Sequence, residues 1–231
     1  MTEANQSLAI NFTPKYLPIL DLFKAVHDIR YYLCGVYVEK APQGGVFLVA
    51  TDGHSMAVVY DKDGNIDGAE NAIVTIDPGM VSAAKKAAKS EGKSGLQYRV
   101  IVRGTRAMVA VPGADGMELF IQPGRCLIEA KFPEWRKVMP AFDKLKPGAV
   151  ADCMVNPSYL ARFAKIGTDR FKGIALWQEA PEKPIVVQAL ALPEAFFVVM
   201  PMKGEGALGK FAAFMPPTEK EGEKVEVAEA A

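Results

Sequence analysis

Hydrophobic and polar positions alternate along this chain with two different periods. Short apolar runs rich in β-branched residues give way to stretches whose apolar positions follow helical spacing. Three times, a strand-like run ends in a capping residue and a proline, and a helical pattern begins. These are residues 8–12 then Thr13-Pro14, residues 72–76 then Asp77-Pro78, and residues 150–155 then Asn156-Pro157. Thr, Asp and Asn side chains accept hydrogen bonds from the free N–H groups of a first helical turn. Proline at the first helical position gives up a donor that would be unpaired there anyway. The three prolines lie 64 and 79 residues apart, which fits a repeated unit of roughly 60–80 residues.

The apolar stripe of the first helix is Ile19, Leu20, Phe23 and Val26, with Pro18 marking where the regular helix starts. Met80, Val81, Ala84, Ala87 and Ala88 form the second, which Gly92 ends; Tyr159, Leu160 and Phe163 form the third, which Gly167 ends. Strands are predicted at 35–39, 46–51 and 55–60, at 97–103, 106–111, 118–122 and 125–130, and at 173–178, 184–190 and 195–200. The result is an α+β chain of three strand–helix–strands units, packed in layers. Beyond Gly204 the order signals thin out, and the acidic end is expected to be disordered.

Composition narrows the class. The 231 residues, half of them hydrophobic and 23% charged, describe an ordinary globular chain of one or two domains. No apolar run reaches the roughly 18 residues of a membrane span, and residues 1–12 lack the basic-then-apolar order of a secretory leader. Cys34, Cys126 and Cys153 are scattered and odd in number, which argues against a disulfide framework or zinc site and for a reducing cytoplasm. Net charge is zero, but the five Glu and two Lys of residues 218–231 leave −3 there and +3 on the rest.

The polar sides of the helical stretches are mostly basic. Lys85, Lys86 and Lys89 lie opposite the second stripe, and Arg162 and Lys165 opposite the third. Lys24 sits on the first, with His27 and Arg30 at its end and Asp21 and Asp28 diluting it. Any one of these is an ordinary solvated face. The same bias on three repeated helices points to a shared surface for phosphates, which binds without sequence preference; no base-reading motif accompanies it.

Catalytic patterns are weak. Only two histidines are present, and no His/Cys/Asp cluster has metal-ligand spacing. Asp52, His54 and Ser55 sit together in TDGHS, but adjacent residues cannot easily aim at one another as a triad requires. Residues 87–94, AAKSEGKS, loosely match a phosphate-binding loop. They close a helix rather than open one, so the dipole points the wrong way. No catalytic residue, cofactor or metal is expected.

Four segments resemble one family, the bacterial DNA polymerase III beta subunit, the replicative sliding clamp. They are DIRYYLCG at 28–35, LVATDGHSMAV at 48–58, FPEWRKVMP at 132–140 and VVMPM at 198–202. Strings like the first three lie in order in the family's middle domain, and one like the fourth ends its last domain. VNPSYLARFAKI at 155–166 is similar to the family's last helix, so the resemblance runs from about residue 8 to 202.

The resemblance implies a DNA-clamp fold with antiparallel sheets outside and helices lining a ring. It implies residues 1–140 as the middle domain, 141–204 as half of the last domain, and 205–231 as a flexible tail. The function implied is a non-enzymatic homo-oligomeric ring on double-stranded DNA, with no membrane partner. Its hydrophobic pocket would capture short peptides of DNA polymerase and clamp-loader subunits. By motif position that pocket is lined by Leu33, Thr51, Gly53, His54, Met56, Pro133, Val138, Val198, Met200, Pro201 and Met202. His27, Arg30, Tyr31 and Tyr32 resemble family positions near DNA.

The chain also departs from the family. Ser55 and Lys137 stand where the family commonly has arginine, an ordinary first domain is missing, and 29 residues follow Met202. The alternative is a clamp-like module or decoy that captures the same peptides without encircling DNA. An odd unit count leaves one unit to pair across a chain boundary or to keep an exposed sheet edge.

Overall fold

The structure, a computed structural model, describes residues 8–114, 116–140, 142–147, 153–166 and 173–202. Within them the strands are β1 (Ala9–Phe12), β2 (Gly35–Lys40), β3 (Val46–Thr51), β4 (Ser55–Asp61), β5 (Asn65–Asp67), β6 (Asn71–Thr75) and β7 (Arg99–Arg103). Next come β8 (Arg106–Ala110), β9 (Glu118–Ile121), β10 (Leu127–Ile128), β11 (Lys146–Pro147), β12 (Ile174–Gln178), β13 (Ile185–Ala189) and β14 (Ala195–Val199). The helices are α1 (Leu17–Phe23), α2 (Pro78–Ser94) and α3 (Pro157–Ala161). The first predicted strand of the third unit lies partly outside the described residues, and within them Met154 makes only an isolated bridge to Met202.

The strands form two antiparallel sheets. One has five strands in the order β5-β1-β7-β8-β9, and the other nine in the order β10-β6-β2-β3-β4-β14-β13-β12-β11. The larger sheet is two smaller ones joined edge to edge. At the join β4 pairs with β14, matching Val59 to Ala195 and Ser55 to Val199. Strand alternation then decides what each face carries. Val46, Leu48, Ala57, Val59, Phe197 and Val199 point inward to the main core, which α1, α2 and Phe163 close. Val49, Met56, Val58, Ile73 and Val198 point outward into a second, smaller cluster under Phe132 and Trp135.

The helix ends follow local chemistry at two of the three predicted caps. Asp77 accepts from the Gly79 N–H at 2.7 Å, and Asn156 from the Ser158 N–H at 2.9 Å. Thr13 does not cap. Its N–H and hydroxyl both donate to Asp61, at 2.6 and 3.1 Å, and its hydroxyl accepts from Arg99. A buried carboxylate 48 residues away thus wins over the local turn, and Pro14–Tyr16 forms a 3₁₀ turn before α1. The α1 stripe stops short of Val26, because the backbone turns extended at Lys24 and leaves Val26 exposed. α2 runs through Gly92 and ends at Gly95, whose φ of 69° supplies the left-handed cap. The AAKSEGKS run therefore occupies the last turns of α2.

Cys126 is fully buried, and burial pushes its thiol up to about 11. Thiolate is the reactive form, so Cys126 is expected to resist alkylation in the native protein and to react only on unfolding. Cys34 and Cys153, both half-buried, should label first. Mass spectrometry of a labelling time course checks this, and early modification of Cys126 would contradict the buried placement.

Candidate functional site

The outward face of the nine-stranded sheet is covered unevenly, and the uneven cover creates a cavity. The Lys131–Pro140 segment crosses this face and is pinned by aromatic contacts. Phe132 stacks on Tyr37 with centroids 4.6 Å apart, and Trp135 packs against Phe47 at 5.8 Å. The indole N–H of Trp135 donates to Glu39 at 3.0 Å, and Arg136 pairs with the same carboxylate at 2.8 Å. Between this segment and the end of the β3–β4 hairpin remains a hollow of about 250 Å³. Its floor is Met56 and Val198, which are register partners across the β4–β14 join.

The hairpin loop that walls the cavity is held by its own side chains. Thr51 Oγ1 donates to the Ser55 carbonyl at 2.8 Å and accepts from the Gly53 N–H at 3.0 Å. Asp52 Oδ1 accepts from the backbone N–H groups of His54 and Ser55 at 2.9 and 2.8 Å. Gly53 adopts φ 88°, a conformation open to glycine at little cost, and the Arg30 guanidinium lies where a side chain at 53 would project. From the other side, the Met200 N–H donates to the His54 carbonyl at 2.9 Å.

Arg162 fastens this loop to the third unit. It donates to Asp52 Oδ2 at 2.7 Å and to the Ser55 hydroxyl at 2.5 Å. Its guanidinium also lies over the rings of Tyr159 and Phe23, at 5.0 and 5.4 Å. Burial pushes the Asp52 carboxyl up, but the hydrogen bonds from His54, Ser55 and Arg162 outweigh it and hold the group below the usual carboxylate range. Arg30 likewise donates to Asp28 twice from its guanidinium and once from its backbone N–H, holding that carboxyl at about 2, and its guanidinium donates once to the Asp52 carbonyl.

The sequence-predicted pocket residues separate into two groups. Leu33, Thr51, Gly53, His54, Met56, Pro133, Val138, Val198 and Met200 all line the cavity. Pro201 and Met202 are not among its lining: the chain leaves β14 after Val199, and Met202 bonds back to Met154. Sequence reasoning did not place Phe132, Glu134 and Trp135 in the wall, though all three stand in the quoted FPEWRKVMP string. Arg30 and Tyr32, expected near DNA, also line it. Ser55 is buried beneath Arg162, and Lys137 is exposed and pairs with Glu134.

The predicted basic residues differ in what occupies them. Lys85, Lys86 and Lys89 are exposed on α2, and Lys165 is exposed on the 3₁₀ turn Arg162–Lys165. None of these four makes an ion pair among the described residues. Lys24 pairs with Asp21 at 3.2 Å, and Arg162 is committed to Asp52. His27 is exposed in a left-handed backbone conformation with φ 54°, and the exposed Tyr31 ring stands 6.0 Å from that of Tyr32.

Comparison with known proteins places this geometry. No protein-family model matches the sequence, and no match was found among curated proteins. Solved structures do match. A DNA polymerase sliding clamp from Pseudomonas aeruginosa superposes with a TM-score of 0.56 at 15% identity, over 85% of this chain and 66% of that one. A sliding clamp from Bartonella birtlesii bound to griselimycin gives 0.57 at 16%, over 85% and 66%. The Caulobacter crescentus DNA polymerase III beta gives 0.57 at 17%, over 88% and 68%. This chain thus spans about two thirds of the length of the clamps it matches. Two antiparallel sheets, helices packed against them and a chain path shared with these structures give one conclusion: the chain has the α+β fold of the bacterial DNA polymerase III beta sliding clamps.

Proposed function

We propose that this chain is a sliding-clamp processivity factor, a non-catalytic homo-oligomeric ring that encircles duplex DNA and tethers a DNA polymerase. The observation that carries the reading is the cavity. Nine residues chosen by motif position, drawn from four separate segments, line one apolar hollow on a clamp fold. Its Met56, Val198 and Met200 walls suit short apolar peptide side chains, since methionine surfaces re-pack around different partners. Polymerase and clamp-loader tails are the partners proposed for it. The exposed Lys85, Lys86, Lys89 and Lys165, which make no ion pair among the described residues, provide the phosphate contacts. A tether that is closed topologically needs only weak, sliding attraction, so a net charge of zero is compatible with it.

The protein, loaded by its clamp loader, is expected to stay on circular DNA and to run off the same DNA once linearised; equal retention on both would remove the ring reading. Met200→Ala is expected to weaken binding of a clamp-loader-derived peptide by roughly tenfold, the effect of about 1.4 kcal/mol. Unchanged affinity would remove the pocket reading. A second reading, a clamp-like module that captures these peptides without encircling DNA, is favoured by the chain spanning about two thirds of the clamps it matches. It predicts the peptide result without the circular-DNA result.

A further inference from the structure

The outward face of the nine-stranded sheet holds a second and larger hollow, of about 430 Å³. Its floor crosses four neighbouring strands. Val58 of β4 is the register partner of Phe196 on β14, and Val186 of β13 is the partner of Trp177 on β12. Phe47 and Tyr60, partners across β3 and β4, also line it. The 3₁₀ turn Phe142–Lys144 contributes Phe142, whose ring meets Phe196 edge-on at 5.7 Å yet stays 58% exposed. Grouped apolar exposure of this kind marks a contact surface rather than an ordinary patch. Glu194 is the one charged residue of the lining, and its side chain is 25% exposed beside Lys15. No described residue fills the space.

The chain itself carries a segment that matches the groove in reach and chemistry. Residues 203–231 follow Met202 and lie outside the described residues. Residues 203–217 contain Leu208, Phe211, Phe214 and Met215 with two Lys and one Glu, whereas residues 218–231 hold five Glu and no aromatic residue. Eight residues lead from Glu194 to Met202, and eight more lead from Met202 to Lys210. The outward run includes the extended β14, so a return run of equal length is long enough to reach Glu194. At that pace Gly204, Glu205 and Gly206 pass Met200 to Val198 at the peptide cavity, with no large apolar side chain to insert there. Leu208 then comes level with Phe196 and Lys210 with Glu194, and Phe211 and Phe214 follow directly.

We infer that residues 208–215 dock in this aromatic groove of their own chain. Phe211 and Phe214 enter among Phe142, Trp177 and Phe196, and Lys210 lies beside Glu194. Aromatic rings gain from edge-to-face contact with one another beyond the area they bury. A tethered segment also binds at an effective concentration in the millimolar range, so modest apolar contact is enough to hold it. The peptide cavity stays open in this arrangement, because only the glycine-bearing residues 204–206 pass it.

Limited proteolysis and disulfide trapping of the full chain test this. Tryptic cleavage after Lys210 is expected to be about tenfold slower in the wild type than in Phe211→Ala/Phe214→Ala, because cleavage follows the population of the open form. Phe142→Asp, changed on the groove side at an exposed position, should speed the same cleavage by a similar factor with the thermal midpoint kept. Lys144→Cys/Ala212→Cys should oxidise to a link within one chain, identified by mass spectrometry, and Lys144→Cys/Ala231→Cys should link far more slowly. Equal cleavage in the wild type and both variants, or a link formed only between two chains, would overturn the assignment. So would a rise in peptide affinity in Phe211→Ala/Phe214→Ala, which would put the segment over the peptide cavity instead. Protection of Lys210 in a protein that binds no peptide would remove the clamp reading and leave this inference standing.

Discussion

Phe197→Ala is expected to cost the native state about 3–5 kcal/mol, the range for removing a buried aromatic side chain. For a chain of this length that lowers Tm by an amount on the order of 10 °C. Phe197 is fully buried on β14. Its ring lies 5.1 Å from Phe23 of α1 and 5.1 Å from Phe163, which is itself 5.7 Å from Phe23. The three rings come from elements far apart in sequence and meet where the third unit joins the first. Alanine would leave a cavity that none of these elements can close alone, because each is also held by its own sheet or turn. Phe197→Leu keeps most of the volume and should cost about 1 kcal/mol, within the range of volume-conserving swaps. Thermal and urea unfolding of both variants check the pair of values. Equal, small losses would show that the join rests on the β4–β14 ladder rather than on the rings.

The same join explains why the cavity is a property of the whole arrangement. Its floor needs Met56 from β4 and Val198 from β14 in register. Three further hydrogen bonds cross the join: Lys15 and Tyr16 both donate to the Glu194 carboxylate, at 2.8 and 3.0 Å, and the Tyr60 N–H donates to the Glu194 carbonyl. Opposite the hairpin loop, the cavity is walled by the Lys131–Pro140 segment, which Glu39 holds through Trp135 and Arg136.

How much of this the sequence shows depends on how local each feature is. Most strands were legible because their inward and outward residues alternate, as in Val46, Leu48 and Ala50 against Phe47, Val49 and Thr51. β5 was not, since its only apolar residue, Ile66, stands between Asn65 and Asp67. Val26 continued the helical spacing, yet nothing in that spacing records the extended turn at Lys24. Thr13 carried the right chemistry for a cap, and its actual partner, Asp61, is remote in sequence. The cavity residues were found through resemblance of short strings. Taken singly, Leu33, Met56 and Val198 are indistinguishable from core, and they are indeed buried. Arg162 shows the same limit. Opposite a helical stripe it reads as a phosphate contact, and its commitment to Asp52 across 110 residues leaves no trace in the local pattern.

That commitment leads to the second large effect. Arg162→Met is expected to cost about 3 kcal/mol, the low end for breaking a buried ion pair. The low end applies because the side chains are not fully buried, with exposures of 22% for Arg162 and 15% for Asp52. The loop from Thr51 to Ser55 then keeps its internal hydrogen bonds but loses its tie to the 3₁₀ turn that follows α3, so peptide affinity should fall by about tenfold or more. If Arg162 instead contacted phosphates, its loss would flatten the salt dependence of DNA binding as loss of Lys86 should; the internal pairing predicts a smaller change than Lys86→Ala gives. The pH dependence follows with a definite sign. Asp52 has a lowered native pKa, so it contributes stability that is fully present above the unfolded value of about 3.9 and is lost as pH falls through the native value. Wild-type stability should therefore drop below about pH 4 partly through this group. In Asp52→Asn that portion of the slope should disappear, along with much of the neutral-pH stability it represents. An unchanged acid slope in Asp52→Asn would mean that Arg162 is held by the Tyr159 and Phe23 rings, and that the carboxylate is not what fastens the loop.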